Sequence, residues 1–362
     1  VLFLSGCEQI MDLSIVEGYF GPAWSWPTRT ATMRALAARG YRRFIYAPKA
    51  DPFLRRRWRE RHPDDELQRI ADFAAACRAI GVRFGIGLTP FEAHLGDEAA
   101  ALAALAEKLA GLAGIGIDDF ALLFDDMKGD LPDLAARQVR MTAFCAERMR
   151  ASGLIMCPSY YSDDPILDRV FGARPPHYLA DLGRGLDPAI DIFWTGSKVC
   201  SNEFDIADME RVADLMRRKP FLWDNYPVND GPRMSKHLHL RGFTGRPAAL
   251  ANVCAGHAIN PALQPVLTRI PALTLATSYR DGVCYDASTA FAAAAMEVAG
   301  PDLARQLAAD LTALQEQGLG ASDAQKDAWR RTYAAIDHPA AAEIIDWLDG
   351  VYSVSAELVQ TQ

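Results

Sequence analysis

The chain reads as an α/β protein, a (β/α)8 TIM barrel with a short C-terminal helical extension. Three observations predict this architecture. Eight short apolar runs alternate with helical patterns over about 250 residues, the span of a single barrel. Polar clusters follow nearly every run, and in a barrel these all gather at one mouth. No GxGxxG follows the first run, which weighs against the rival open, doubly wound sheet. The barrel is expected over residues 10–295 and the helical extension over 296–362.

The elements follow in order. Leu13–Val16 is the first strand and ends at EGYFG; Thr28–Arg39 is a helix. Phe44–Ala47 is the second strand, stopped by Pro48-Lys49. Asp64–Ala79 places Leu67, Ile70, Phe73, Ala74 and Cys77 at helical spacing. Val82–Leu88 is the third strand, and Ala99–Leu112 an alanine-rich helix. Phe120–Phe124 is the fourth strand, and Leu134–Ala151 a helix with Val139, Phe144 and Met149 as apolar positions. Leu154–Cys157 ends at PSYYSDD, and Ile190–Trp194 at TGSKVCS. A helix over Asp208–Arg218 precedes the seventh strand, Phe221–Trp223, which ends at DNYPVND. Ala251–Ala255 is the expected eighth strand, ending at GHAINPA. The tail reads as helices over Leu303–Gln317, Ser322–Ile336 and Ala340–Tyr352.

Bulk properties narrow the class. The 362 residues are 50% hydrophobic, enough for a large core. A formal charge of −8 argues against nucleic acid or an anionic membrane as the main partner. The basic run Arg55–Arg61, RRRWRER, reads as a solvated, arginine-rich helix face. Seven cysteines without CxxC spacing read as reduced, mostly buried thiols. No apolar run is long enough to span a bilayer, and a homo-oligomer is compatible with the composition. A cytoplasmic location is expected. The alternative is an exported or lipid-anchored form, should the LSGC ending at Cys7 be a processed lipobox; Met11 is the competing start.

The strand ends collect Glu17, Gly18 and Tyr19; Lys49 and Asp51; Asp125 and Asp126; Cys157, Tyr160 and Tyr161; Thr195 and Lys198. The seventh adds Trp223, Asp224, Asn225, Asn229 and Asp230, and the eighth His257 and Asn260. Carboxylates, carboxamides and aromatics suit a neutral polyhydroxy ligand, with rings covering sugar faces and polar groups bridging hydroxyls. A phosphate site would want more cations or a glycine-rich nest.

The doublet Asp125-Asp126 carries the chemistry. Two carboxylates so close cannot both ionise cheaply, which leaves a proton donor beside an anion. Adjacent residues do not straddle a sugar as an enzymic nucleophile and acid must. They suit a 2-acetamido sugar whose own carbonyl oxygen attacks the anomeric carbon. One Asp then holds the amide N–H and the other protonates the leaving oxygen. Two plainer readings compete: a turn with a capping Asp, and Mg2+ ligation together with Asp51 or Asp230. The preferred reading needs no metal and no cofactor. Asp118 and Asp119 begin their strand and so read as structural. His237 and His239 read as surface residues or as supports behind the site.

VEGYFGPAWSW, YAPKADP with WRERHP, LLFDDM, MCPSYY, FWTGSKVCS, LWDNYPVND and INPA occur in order from about residue 14 to 265. Together they resemble the glycoside hydrolase family 84 catalytic domain, which includes β-N-acetylglucosaminidases, hyaluronidase-like proteins and the protein O-GlcNAcases. The resemblance implies a (β/α)8 barrel and a retaining exo-β-N-acetylglucosaminidase working through a substrate-derived oxazoline. It implies that Asp125 orients the acetamido nitrogen and that Asp126 is general acid, then base. Gly18 would contact the sugar through its backbone, and Lys49 would sit near the hydroxyls. Cys157 and Tyr161 would shape the acetamido pocket, with Trp223 as its wall. Asn225 would bond near the acetamido group or ring, Asp230 would grip the 4- and 6-hydroxyls, and Asn260 would assist. The implied partner is a terminal N-acetylglucosamine on a glycoprotein or oligosaccharide.

The sequence departs from the family pattern at Ala50-Asp51, at Gly231 and at Tyr160, where glutamate is common. The last suggests an aromatic platform for the aglycone. Two alternatives stand beside this reading: a related hexosaminidase for hyaluronan fragments or N-acetylgalactosaminides, and a non-catalytic glycan-binding barrel.

Overall fold

The computed structural model describes residues 11–149 and 151–354. Cys7 and its LSGC motif lie outside the described residues.

Eight parallel strands close into a barrel in sequence order. They are β1 (Leu13–Glu17), β2 (Tyr41–Tyr46), β3 (Arg83–Leu88), β4 (Asp119–Leu123), β5 (Gly153–Cys157), β6 (Asp191–Trp194), β7 (Phe221–Asp224) and β8 (Gly256–Ile259). Closure is made by β8 on β1, where Leu13 pairs with His257 and Ile15 with Ile259. Both faces of such a sheet are covered, by the barrel interior and by the helix layer, so the strands read as continuous apolar runs. All five residues of β4 are buried accordingly.

The helices between them are α1 (Trp26–Ala37), α2 (Asp64–Ala79), α3 (Glu98–Leu112), α4 (Leu134–Arg148), α5 (Pro165–Phe171), α6 (Tyr178–Gly185) and α7 (Ile206–Met216). Short helices α8 (Gly231–Met234) and α9 (Leu250–Val253) flank the long loop after β7. Local chemistry starts several of them. Ser25 accepts from the Thr28 N–H ahead of α1, and Asp97 from the Ala99 N–H ahead of α3. Three acids, Asp64, Asp65 and Glu66, fill the first turn of α2, where the helix dipole favours negative charge.

The C-terminal helices are α10 (Arg269–Asp281), α11 (Ala287–Thr312), α12 (Asp323–Ala334) and α13 (Pro339–Leu348). The expected boundary at 295/296 falls inside α11, which kinks at Gly300 (φ +73°) just before Pro301. The extension packs onto the loop after β8. Glu343 of α13 accepts the backbone N–H groups of Val266 and Leu267 at 2.8–3.1 Å.

One strand is not where the sequence suggested. Ala251–Ala255 spans the end of α9 and the turn after it, and the eighth strand is the next segment, Gly256–Ile259. An apolar run this short does not declare its type, and Ala-rich composition fits a helical turn as well as a strand. At the opposite end of the barrel, Asp119 is buried among Arg43 and Arg83, and Asp118 accepts the Phe84 N–H. Those acids tie β2, β3 and β4 together and belong to stability, as expected.

Candidate active site

The C-terminal ends of the strands open into a cavity of about 340 Å3. The ten residues to which the family resemblance gives roles all line it. Asp125 and Asp126 follow β4, Gly18 follows β1 and Lys49 follows β2. Cys157 and Tyr161 come from β5 and its loop, Trp223 and Asn225 from the end of β7, Asp230 from the loop beyond, and Asn260 from the end of β8.

The acid pair sits on a pinned strand end. The Phe124 N–H donates to the Cys157 carbonyl (2.9 Å), and Ser159 Oγ–H donates to the Phe124 carbonyl (2.9 Å). Asp126 then takes φ +57°. That left-handed conformation costs a side-chain-bearing residue about 1–2 kcal/mol, with Asp among the more tolerant. It breaks the strand alternation, so that neighbouring acids both line the cavity.

Their environments differ. Lys49 Nζ ion-pairs with Asp125 Oδ2, and both side chains are buried. Asp125 Oδ1 is buried and has no hydrogen-bond partner among the described residues. A buried acceptor left open is costly unless something else fills it. Asp126 Oδ1 accepts from the Tyr161 hydroxyl at 3.2 Å. Burial, and next the charge of Asp125, push the Asp126 carboxyl above the usual carboxylate range; Lys49, Arg55 and Tyr161 oppose the rise. The arrangement is an ion-paired carboxylate beside a carboxyl that burial pushes towards its protonated form.

The opposite wall is a carboxamide lattice. Trp223 Nε1–H donates to Asn225 Oδ1 (3.0 Å), which also accepts from Asn260 Nδ2 (3.1 Å). Asn260 Oδ1 accepts from the Gly18 N–H (3.2 Å), and Asn225 Nδ2 donates to the Val199 carbonyl (2.8 Å). Gly18 is required by space: a Cβ there would lie 2.4 Å from Trp223 Cζ2. Asp230 Oδ2 accepts the Phe20 N–H (2.8 Å), joining the β7 and β1 loops. Burial drives its carboxyl up to about 6; the Phe20 N–H works against this and the Asp126 charge adds to it. The Cys157 thiol is raised by burial and then by Asp125, so it is a neutral, apolar part of the wall.

Several strand-end residues are not in the cavity. Glu17 forms a buried ion pair with Arg29 (2.6 Å), and Tyr19 donates to Glu17. Asp51 caps Phe53 and meets Tyr46 and His62. Asp224 takes both Arg246 nitrogens at 2.8 Å and His257 Nε2 at 3.0 Å, behind the barrel wall. Asn229 is consumed by Gln264, the His237 carbonyl and the Leu263 N–H. Tyr160 is no aglycone platform: it is buried, and its hydroxyl donates to the Gly172 carbonyl. With Asp51 so engaged, the Mg2+ reading loses a ligand. Among the described residues, no three His, Cys, Asp or Glu side chains come together as a metal site.

Arg55 is the residue sequence reasoning missed. RRRWRER is not a solvated helix face but a turn, in which Trp58 is fully buried and Arg55 nearly so. The Arg55 guanidinium lies over the rings of Phe20 (5.3 Å) and Phe91 (5.0 Å); it does not line the cavity, but its charge favours ionised Asp126. The tryptophan interrupting the arginines was the available signal, since a solvated face has no use for it. Thr195 and Lys198 do line the cavity, together with Phe20, Asp164 and Val199.

Residues 14–314 match the family model NAGidase, described as beta-N-acetylglucosaminidase. The Protein O-GlcNAcases of Mus musculus and Rattus norvegicus are each 28% identical over 278 residues. Those alignments span 74% of this chain but only 30% of the relatives' length. Among solved structures, an O-GlcNAc hydrolase mutant from Thermobaculum terrenum superposes with a TM-score of 0.77 at 25% identity. It covers 95% of this chain and 82% of its own.

Proposed function

The chain belongs to the β-N-acetylglucosaminidase family, and from that premise we propose that it removes terminal β-linked N-acetylglucosamine with retention, O-linked residues on proteins included, using the substrate's acetamido group as nucleophile. The observation that carries this is the division of labour at Asp125 and Asp126. Asp125 is held by Lys49 through one oxygen, and its other oxygen is buried with no hydrogen-bond partner among the described residues. An acetamido N–H fits that acceptor. Bonding it pushes electron density onto the amide carbonyl oxygen, which then attacks the anomeric carbon. Asp126, whose hold on a proton is strengthened by burial and the Asp125 charge, donates to the leaving oxygen and afterwards takes a proton from water.

The rest of the cavity orients the ring. Trp223, fixed by Asn225, packs on the apolar face of the acetamido group, and Tyr161 and Cys157 close around it. Asp230 and Asn260 address hydroxyls at the other end. No helix among the described residues is long and apolar enough to cross a membrane.

The test is a series of aryl β-N-acetylglucosaminides with N-acetyl, N-fluoroacetyl and N-trifluoroacetyl groups. Fluorination weakens the carbonyl nucleophile, so kcat/KM should fall steeply along the series. A flat response would remove substrate assistance. Asp125→Asn should slow good and poor leaving groups alike, whereas Asp126→Asn should spare the good ones.

A further inference from the structure

Charge is segregated within the cavity. Its acids, Asp125, Asp126, Asp164 and Asp230, are buried or half-buried. Of its cations Lys49 has a buried side chain, whereas Arg169, Lys198 and Arg233 are exposed. Arg169 and Arg233 have no ion-pair partner among the described residues. Lys198 reaches Asp164 only at 3.9 Å, with its side chain 59% exposed. Asp164 itself is occupied, accepting the Ile166 N–H at 3.1 Å and the Val199 N–H at 3.4 Å. The outer mouth is therefore net positive on a chain whose formal charge is −8.

The position of this rim matters. The leaving oxygen must lie at Asp126, whose partner Tyr161 is on the loop after β5. Arg169 stands on α5 after that same strand, Lys198 on the loop after β6, and Arg233 on α8 after β7. The apolar side chains of Ile166, Val199 and Met234 line the same cavity. The three cations come from the segments after three different strands, whereas one uronic acid offers a single carboxylate. Together with these apolar side chains, they match an extended chain bearing several anions.

Resting on the function proposed above, the geometry points to an acidic peptide as the preferred aglycone: a glycosylated Ser or Thr flanked by Asp or Glu, gripped by Arg169, Lys198 and Arg233. Such steering is electrostatic and falls with ionic strength.

The full chain is assayed on O-GlcNAc peptides identical except for flanking Glu or Lys, from about 20 mM to 500 mM salt. The acidic peptide should be favoured by about tenfold in kcat/KM at low salt, equivalent to about 1.4 kcal/mol. That ratio should shrink towards unity at high salt, a measurement that needs no variant. Arg169→Gln/Lys198→Gln/Arg233→Gln should lower the ratio to below about threefold, whatever its absolute rate. A ratio near one in the unaltered protein, or one that salt and the triple variant leave unchanged, overturns the proposal. A second arm compares a disaccharide ending in glucuronate with its glucose counterpart. A salt-sensitive preference there but none among the peptides would assign the rim to acidic glycans and overturn the peptide reading. Failure to turn over a simple aryl β-N-acetylglucosaminide would instead strike the underlying function.

Discussion

Gly18→Ala is the sharpest probe of the site. Gly18 does not have a left-handed backbone, so alanine is conformationally permitted and only space opposes it. The added Cβ would sit 2.4 Å from Trp223 Cζ2 and 2.7 Å from Cη2, whereas ordinary contacts begin at 3.4 Å. The indole must therefore retreat by about 1 Å, or the β1 end must. Neither moves freely: Trp223 is tied to Asn225, Asn225 to Asn260, and Asn260 back to the Gly18 N–H. Overpacking of this kind costs about 1–3 kcal/mol, and a misplacement of about 1 Å at a reacting centre costs on the order of 100-fold in rate. Expected values are a loss of about 10- to 100-fold in kcat/KM on an aryl β-N-acetylglucosaminide, with a thermal midpoint lowered by a few degrees. In a Trp223→Leu background the clashing atoms are gone, so the same substitution should cost less than about twofold. The double-mutant cycle should thus return a coupling energy of about 1–2 kcal/mol. Wild-type kinetics for Gly18→Ala, or an equal cost in both backgrounds, would show that the indole does not confine this position.

Other perturbations test the electrostatics. The alkaline limb of kcat/KM should report Asp126 above the ordinary carboxylate range. Arg55→Met removes a cation that favours ionised Asp126, so that limb should move further up in a pH–rate profile, whereas a packing role alone would leave it in place. Glu343 is raised by burial to about 7 from 4.5. Its contribution to stability is complete below about pH 4.5 and lost as pH rises through about 7, a swing of about 3 kcal/mol. Glu343→Gln should flatten that decline in thermal midpoints between pH 5 and 8. Arg246→Met strands buried Asp224 and should destabilise the fold by about 3–5 kcal/mol in denaturant titrations.

Much of the fold and site was legible in the chain itself. Strand-like runs such as Phe120–Phe124 end in the residues that line the cavity, because a parallel barrel delivers every strand's C-terminal end to one mouth. Residue type then announced the chemistry: two adjacent acids, a lysine, and carboxamides with a tryptophan. The eighth strand was misplaced because Ala251–Ala255 carries no periodicity that separates helix from strand.

What the sequence alone determined was the set of groups at the strand ends and the barrel that assembles them. Which way each one faces is set by contacts made in the folded chain. Glu17 and Asp224 look as catalytic in the sequence as Asp125 does, yet buried arginines hold both, and neither lines the cavity. Arg55 looks like surface, yet it is buried against two phenylalanines from different loops. Side-chain direction at a strand end depends on the turn that follows and on partners distant in sequence. The left-handed Asp126 shows why: a single backbone angle sets two neighbouring acids in one cavity.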